Sequence, residues 1–498
     1  MGEDGTVVGV DSSTQSAKAV VFDRAGRTIA EGRAPIALAS PQPGRAEQDP
    51  EDWWRANLAA LRQATAASDP GRIEAVAISN QRETVAFLDE AGAATHPAIV
   101  WLDERAMGTY ESFADRLGRD WLARTTGKPI DLIPVAYRLD WLRRHQPEVL
   151  DGAARIVDVH AFLTGRLTGR SAATWSSADP FGIFDIHRMD WSDPILEAVG
   201  LPRGKLPELV RPGTKVGTIT PEAAEATGLP AGIPVFAGGG DGQCAGLGTN
   251  AFEPGTVFVN LGTATITGVY SPEPLVGRHW RTMTGPTGEG YFLEAIQKAG
   301  AFFVNWVVDT FAGGREDPAV FDRLEREAAA LPIGAEGLTM TPHILGVMNP
   351  NWDPSARAAL VGLSSSHTRA HLYRAALEAI TAEIARGVTA MAAEGLAMER
   401  MRIIGGGARS TLWLGMIADA TGLTVEKSTT VEASALGAGI VAAVGAGWYE
   451  THGAAARAMT RVEGRVDPRP DHAEAWARQC ARQGSVYENT LAYRTAPS

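Results

Sequence analysis

Thr6-Val7-Val8-Gly9-Val10-Asp11-Ser12-Ser13-Thr14-Gln15-Ser16-Ala17-Lys18-Ala19-Val20-Val21-Phe22 is the stretch on which the fold turns. Two β-branched runs, Thr6–Val10 and Ala17–Phe22, flank the small polar residues Asp11–Ser16, the pattern of a strand, a tight turn and a second strand. The same arrangement returns near the middle of the 498 residues. Gly255-Thr256-Val257-Phe258-Val259-Asn260 leads into Leu261-Gly262-Thr263-Ala264-Thr265 and then Ile266-Thr267-Gly268-Val269-Tyr270. Chance likeness of two glycine-containing hairpins is one reading. The other is a duplicated domain, the two copies facing one another. The boundary then falls in Gly246–Pro254, which divides the chain into residues 1–248 and 249–498.

Outward from the first hairpin, Asp49-Pro50-Glu51-Asp52 reads as a helix start. Asp49 is the cap, Pro50 stands in the first turn, and two acids lie at the positive end of the dipole. Trp53, Trp54, Leu58 and Leu61 supply its apolar face. Ile73–Ser79 and Ile233–Ala237 read as strands and Leu372–Glu394 as a long helix. Arg402–Ile404 is a strand leading through Gly405-Gly406-Gly407 into a helix near Leu412–Ala420. Strands alternating with helices predict an α/β fold.

Chain length favours at least two domains, and 45% hydrophobic with 21% charged residues suits a globular protein. A net charge of −12 and a pI near 5.4 argue against nucleic acid and anionic membranes as partners. Cys244 and Cys480 are too few for a disulfide framework and suit a reducing compartment. Met1–Val10 lacks the features of a signal peptide. Met1-Gly2-Glu3-Asp4-Gly5-Thr6 matches an acylation pattern only loosely. The longest uncharged stretch, Ala433–Tyr449, falls short of the roughly 20 apolar residues a span requires. A soluble cytoplasmic protein is the expectation.

Three glycine-rich stretches could turn backbone N–H groups toward an anion: Gly238-Gly239-Gly240, Leu261-Gly262-Thr263 and Gly405-Gly406-Gly407-Ala408. Singly, each also reads as an ordinary strand-to-helix turn. There is no GxxxxGK[ST] loop, and the GxGxxA at Gly437–Ala442 sits in a helical pattern, so P-loop and dinucleotide fingerprints are set aside. Asp241, after three glycines at a strand end, is either a solvated turn residue or a general base. Arg82 and Glu83 either pair with each other at the surface or clamp hydroxyls. His367 and His371 lie four apart but have no third ligand in sight.

Taken together, these residues resemble the FGGY family of carbohydrate kinases. The likeness runs from about Val7 to Tyr449, through separate motifs in family order. Those motifs are Asp11–Lys18, Ala46-Glu47-Gln48-Asp49-Pro50 with Trp53-Trp54, Ile99–Asp103, Gly240–Gln243, and Trp352-Asp353-Pro354 with Ala356-Arg357. His367–His371, Gly405–Ser410 with Trp413, and Ala435–Ala438 complete the set. The resemblance implies two actin-like (ribonuclease-H-like) ATPase domains with the active site in the cleft between them. It implies ATP and Mg²⁺, with Thr14, Gln15, Ser16 and Lys18 on the phosphates from the first turn and Gly262 and Thr263 from the second. Gly300, Gly406, Gly407, Ala408 and Thr411 would lie against the adenosine, and Asp11 would orient Mg²⁺ through water. A sugar or polyol would be held by Arg82, Glu83, Trp101, Asp103, Asp241 and Gln243, with Asp241 as the base. A homodimer is an assembly the sequence leaves open.

Some positions depart from the family pattern. Ser13 stands where many relatives have Gly, Ala264 where Gly or Ser is commoner, and Gly242 at the Gln position of glycerol kinases. Aligning Thr126-Gly127-Lys128-Pro129 puts Ile133 where glycerol kinases carry a substrate-binding Tyr. Arg82-Glu83 looks glycerol-kinase-like, whereas Asp11-Ser12-Ser13-Thr14 and Trp101-Leu102-Asp103 look xylulokinase-like. A ketopentose such as xylulose is the expected substrate, with glycerol or another polyol as the alternative. A non-kinase ATPase or a silent sugar-binding regulator on the same fold would not need the phosphate turns and Arg82, Glu83 and Asp241 together.

Overall fold

The computed structural model describes residues 4–490, so the first three residues of the Met1–Thr6 acylation pattern lie outside the described residues. Both hairpins form, and each nucleates a sheet. In the first, β1 (Thr6–Ser12), β2 (Ser16–Phe22) and β3 (Thr28–Pro35) are antiparallel neighbours. On the other side of β1 lies β4 (Ile73–Asn80), parallel to it, and β6 (Pro234–Gly240) runs parallel to β4, with β5 (Lys215–Thr218) antiparallel at the edge. The order is β5-β6-β4-β1-β2-β3.

The second sheet repeats it. β7 (Gly255–Leu261) and β8 (Thr265–Ser271) are the hairpin, β9 (Arg281–Thr284) and β10 (Tyr291–Gln297) extend its antiparallel side, and β11 (Met398–Ile404) and β12 (Thr424–Ser428) its parallel side. β13 (Val462–Val466) closes the edge antiparallel, giving β9-β10-β8-β7-β11-β12-β13. Three antiparallel strands followed by two parallel ones, in the same spatial order in both sheets, is the duplicated actin-like, ribonuclease-H-like architecture. The fold expectation holds.

The helices cover the faces. α1 (Pro50–Ala66) starts as its sequence dictates, the Asp49 side chain accepting from Glu51 N. It buries Trp53, Ala56, Ala60, Leu61 and Ala64, while Leu58 is only partly covered. α2 (Asp241–Gly248) follows β6 directly. α3 (Ala301–Phe311), α4 (Arg369–Ala393) and α5 (Thr411–Thr421) pack around the second sheet.

α6 (Ala433–Gly445), although late in the chain, lies on the first sheet: Ala435, Leu436, Ile440 and Val441 share a core with Val7, Val20, Phe22 and Phe236. The approach is close enough to demand glycine. A Cβ on Gly9 would stand 1.9 Å from Ala435 O, and one on Gly437 would stand 1.9 Å from Cys244 O in α2. The GxGxxA stretch is therefore a helix crossing.

Between β4 and β5 the chain builds an additional wall, whose strands Val85–Leu88, Ala94–Ile99 and Arg155–Val157 are joined by Glu47–Gln48, from before α1, in a four-stranded sheet. Among the described residues no helix is long and apolar enough to cross a membrane. Two sequence expectations need correction. Gly238–Gly240 is not a turn but the end of β6, bent by a register shift between Phe236 and Gly239. The first phosphate turn shrinks to Ser13–Gln15, because Asp11 and Lys18 are still paired across the hairpin.

Candidate active site

The first turn is held from outside the hairpin. Ser13 N donates to Ser16 O at 3.0 Å, and the Ser13 hydroxyl donates to the same oxygen at 2.8 Å. The Cβ that departs from the family pattern thus carries a brace. The Gln48 side chain donates to Thr14 O at 2.6 Å and is fixed by Trp53 Nε1 and Gln81 Nε2 on its oxygen. Trp101 Nε1 donates to Thr14 Oγ1 at 2.9 Å, and Asn57 of α1 donates to Ser12 Oγ at 2.9 Å. Gln15 is left exposed and Lys18 partly exposed, the Lys18 ammonium paired with Glu432 at the start of α6. That counter-charge was not legible beforehand.

The second turn is built with α3 and the stretch before α5. Gly300 N donates to Thr263 O and Ala301 N to Gly262 O, both at 2.8 Å, and a Cβ on Gly300 would collide with Thr265. A Cβ on Gly407 would meet Trp413 and Leu261, so the Gly406–Arg409 turn lies directly on the end of β7. Ala408 is buried beneath it, and Ser410 caps α5 through Trp413 N. Thr263, Gly406 and Thr411 remain exposed. Gly300 and Gly407 thus lie against the second turn and the end of β7.

At the floor, residues of the two halves interlock. Arg82 Nε donates to Asp241 Oδ1 at 3.1 Å, and its terminal nitrogens reach Glu294 of β10 at 3.0 and 3.2 Å. Arg281 of β9 donates to Glu83 Oε1 at 2.7 Å and to Glu294 Oε1 at 2.6 Å. Arg82 and Glu83 are buried and do not pair with each other, which removes the surface-pair reading.

Two guanidiniums thus face three carboxylates in little water, and the charges sort themselves by neighbour. Burial would raise Glu294, but Arg82 and Arg281 overcome it and hold its carboxyl near 2. Burial would lower Arg82, but Glu294, Asp241 and Glu83 hold it above its ordinary range. Glu83 and Asp241 are both pushed up by burial, beyond what their arginines offset.

Asp241 is the first residue of α2 and, at 36% side-chain exposure, the member of the network open to the cleft. Its aim depends on the bend in β6. Gly238 N donates to His160 Nε2 at 3.3 Å and Gly240 N to Ser176 Oγ at 3.3 Å, bonds that replace the ladder where the register slips. His160 is wholly buried with its pKa lowered to about 4 by burial, so it is neutral and able to accept.

Asp11, in β1 with β4 between it and β6, has its carboxyl raised to about 7 by burial and by Asp241, against Lys18 and the Ser79 hydroxyl at 3.2 Å. Carboxylates that raise one another are what a hard divalent cation relieves, and one or two such oxygens suit Mg²⁺, which keeps most of its water. The residues fit magnesium. Among the described residues no three His, Cys, Asp or Glu side chains are placed to hold a metal ion by themselves, so the ion would complete its shell from water and phosphate.

One expected ligand has other employment. Asp103 is 1% exposed and both its oxygens are taken, Oδ1 by Arg105 N and Nε, Oδ2 by Ala46 N and Arg105 Nη2. A carboxylate so saturated has nothing to offer a sugar, and the substrate role expected for it is withdrawn. His367 and His371 are in ring contact, and His371 serves the cap of α4. Gln243 is buried, its amide nitrogen on Ser176 O at 3.1 Å and its Oε1 without a protein partner. Arg281, Glu294, Gln48, His160 and Glu432 escaped the search for site residues, since each lies far in sequence from the group it serves.

The profile of the FGGY family of carbohydrate kinases, N-terminal domain, matches residues 6–248, and that of its C-terminal domain residues 257–446. The chain is 27% identical over 496 residues to a xylulose kinase of Bacillus subtilis, covering 98% of each. It is 32% identical over 487 residues to a glycerol kinase of Dechloromonas aromatica, covering 93% of each. The crystal structure of xylulose kinase from Rhodospirillum rubrum superposes with a TM-score of 0.92 at 27% identity, over 99% of this chain and 100% of that one. Duplicated sheets, paired turns and a buried acid–arginine floor agree with these likenesses, and the chain belongs to the FGGY family of carbohydrate kinases.

Proposed function

We propose that this ATP-dependent sugar or polyol kinase, acting with Mg²⁺, phosphorylates a ketopentose such as xylulose. The observation that carries the reading is the floor on which Asp241 stands open beside Arg82, with Glu83 and Arg281 alongside. Phosphoryl transfer needs in-line placement and neutralised oxygens more than covalent help. Thr14 and Gln15 on the first turn, Ser16 and Lys18 on the strand that follows it, and Gly262 and Thr263 on the second turn would receive the phosphates. Bound magnesium, oriented by Asp11 through water, would neutralise charge on the transferred group. Asp241 would accept the proton of the attacking hydroxyl, and Arg82 would orient that hydroxyl while keeping the base from drifting. Gly300, Gly406, Gly407, Ala408 and Thr411 would border the adenosine.

The choice of a ketopentose over glycerol rests on Ile133, a buried side chain with no polar atom. A hydroxyl left without its hydrogen bond costs roughly 1–3 kcal/mol, about 5- to 150-fold in kcat/KM. Glycerol has few other contacts with which to recover it. The test is kcat/KM for xylulose, ribulose, erythritol and glycerol at saturating ATP and Mg²⁺. A ketopentose is expected to lead, and glycerol emerging as the best substrate would overturn the assignment.

A further inference from the structure

Two buried polar atoms beside the floor are complementary and unmatched. Arg281 is 2% exposed; its terminal nitrogens are spent on Glu83 and Glu294, but Nε has no protein partner. Asp131 Oδ2 is also buried and without a partner. The two side chains feel each other's charge, yet no hydrogen bond joins them.

The turn that carries Asp131 is fixed against the site. Arg138 donates to Ile133 O at 2.6 Å, Glu83 O at 2.7 Å and Val100 O at 2.7 Å, tying three segments of the pocket wall together. Asp131 is steadied in turn by the N–H groups of Leu132 and Ile133. A buried donor and a buried acceptor each left unmade are costly. A sugar hydroxyl reaching both would satisfy them, its O–H donating to the carboxylate while its oxygen accepts from the guanidinium.

We propose that Asp131 and Arg281 form a subsite for a hydroxyl of the sugar remote from the one that is phosphorylated, and so set the chain length the enzyme accepts. The inference rests on the sugar-kinase reading above. It adds a reason for preferring substrates longer than three carbons: with one hydroxyl at Asp241 and the next held between Arg82 and Glu83, glycerol has little chain left to reach past Arg281.

The experiment compares wild type, Asp131→Ala and Asp131→Asn, since Arg281 is too deep in the floor to change cleanly. Calorimetric binding of xylulose, erythritol and glycerol without nucleotide is paired with kcat/KM for each and with a thermal melt. Asp131→Ala is expected to weaken the four- and five-carbon ligands 10- to 100-fold, to weaken glycerol at least tenfold less, and to be partly rescued by Asn, whose amide oxygen still accepts. Equal losses for all three ligands would mean a structural role, and no loss for any would mean a slot the sugar never enters. Either result overturns the subsite, as does a wild type that binds none of the three. A wild type that binds but does not phosphorylate them overturns the substrate reading alone.

Discussion

At the scale of single residues, Asp241 must be ionised to take a proton, and burial with Glu294 nearby holds its pKa above the ordinary carboxylate value. The sign follows: activity falls as pH drops through that raised value, so the acidic limb of kcat/KM lies above the usual carboxylate range. A profile flat down to pH 4 would contradict this. Asp241→Asn should lower kcat by about 10²–10⁴, the usual cost of losing a general base, with ATP binding nearly intact; more than a tenth of wild-type kcat would exclude the role. Lys18 adds a second test. Its ammonium rests on Glu432, so an incoming phosphate competes with a carboxylate already present. Lys18→Ala should raise the KM for ATP and lower kcat, whereas Glu432→Gln should lower that KM. ATP kinetics unmoved by either change would make the pair purely structural.

Among the elements, the crossing of α2 and α6 leaves no slack. α2 carries Asp241 at its first residue, and Ser434 near the start of α6 donates to the Asp241 carbonyl at 3.0 Å. The same two helices meet at Gly437 and Cys244 with no room for a methyl group. Overpacking of a close interior costs typically about 1–3 kcal/mol. Gly437→Ala should therefore lower the free energy of unfolding by that amount and depress kcat along with it, because separating the helices displaces the base. A variant with wild-type stability would show that the crossing yields easily. His160 belongs to the same scale: one neutral ring, accepting from Gly238, keeps the bend of β6 that points the chain toward α2.

For the whole molecule, the two sheets are joined unevenly. At the sugar end the joint is dense. Arg82 meets Glu294 and Glu83 meets Arg281, while buried Lys128 reaches Asp179 at 3.0 Å and Thr282 O at 2.6 Å. Near the phosphate turns, Lys18 and Glu432 form a partly exposed bridge. A partly exposed pair contributes little and separates easily, whereas breaking a buried one is expensive. Motion is accordingly expected to open and close the nucleotide side about the sugar side, and closing would exclude the water that hydrolyses ATP. Sugar and a non-hydrolysable nucleotide together should reduce the radius of gyration more than either alone. Identical small-angle scattering from apo and doubly liganded protein would rule such closure out.

Local pattern was enough for much of this. Alternation and β-branching wrote both hairpins, Asp49-Pro50 wrote the start of α1, and the spacing around Gly437 marked a helix, because each depends on neighbours a few residues away. The repeated hairpin also announced the duplicated fold before any strand order was known. What local pattern could not supply is pairing across the chain. Asp103 looked like a ligand until Arg105 and Ala46 were seen to occupy it. Gly238–Gly240 looked like a turn, since the acceptor that makes it a bent strand lies 78 residues away. Arg281 and Glu294 were invisible as site residues, standing 198 and 212 residues from Glu83 and Arg82. A buried charge is stable only beside its counter-charge, and which counter-charge arrives is decided by how two sheets pack, a property of the folded whole that no window of sequence contains.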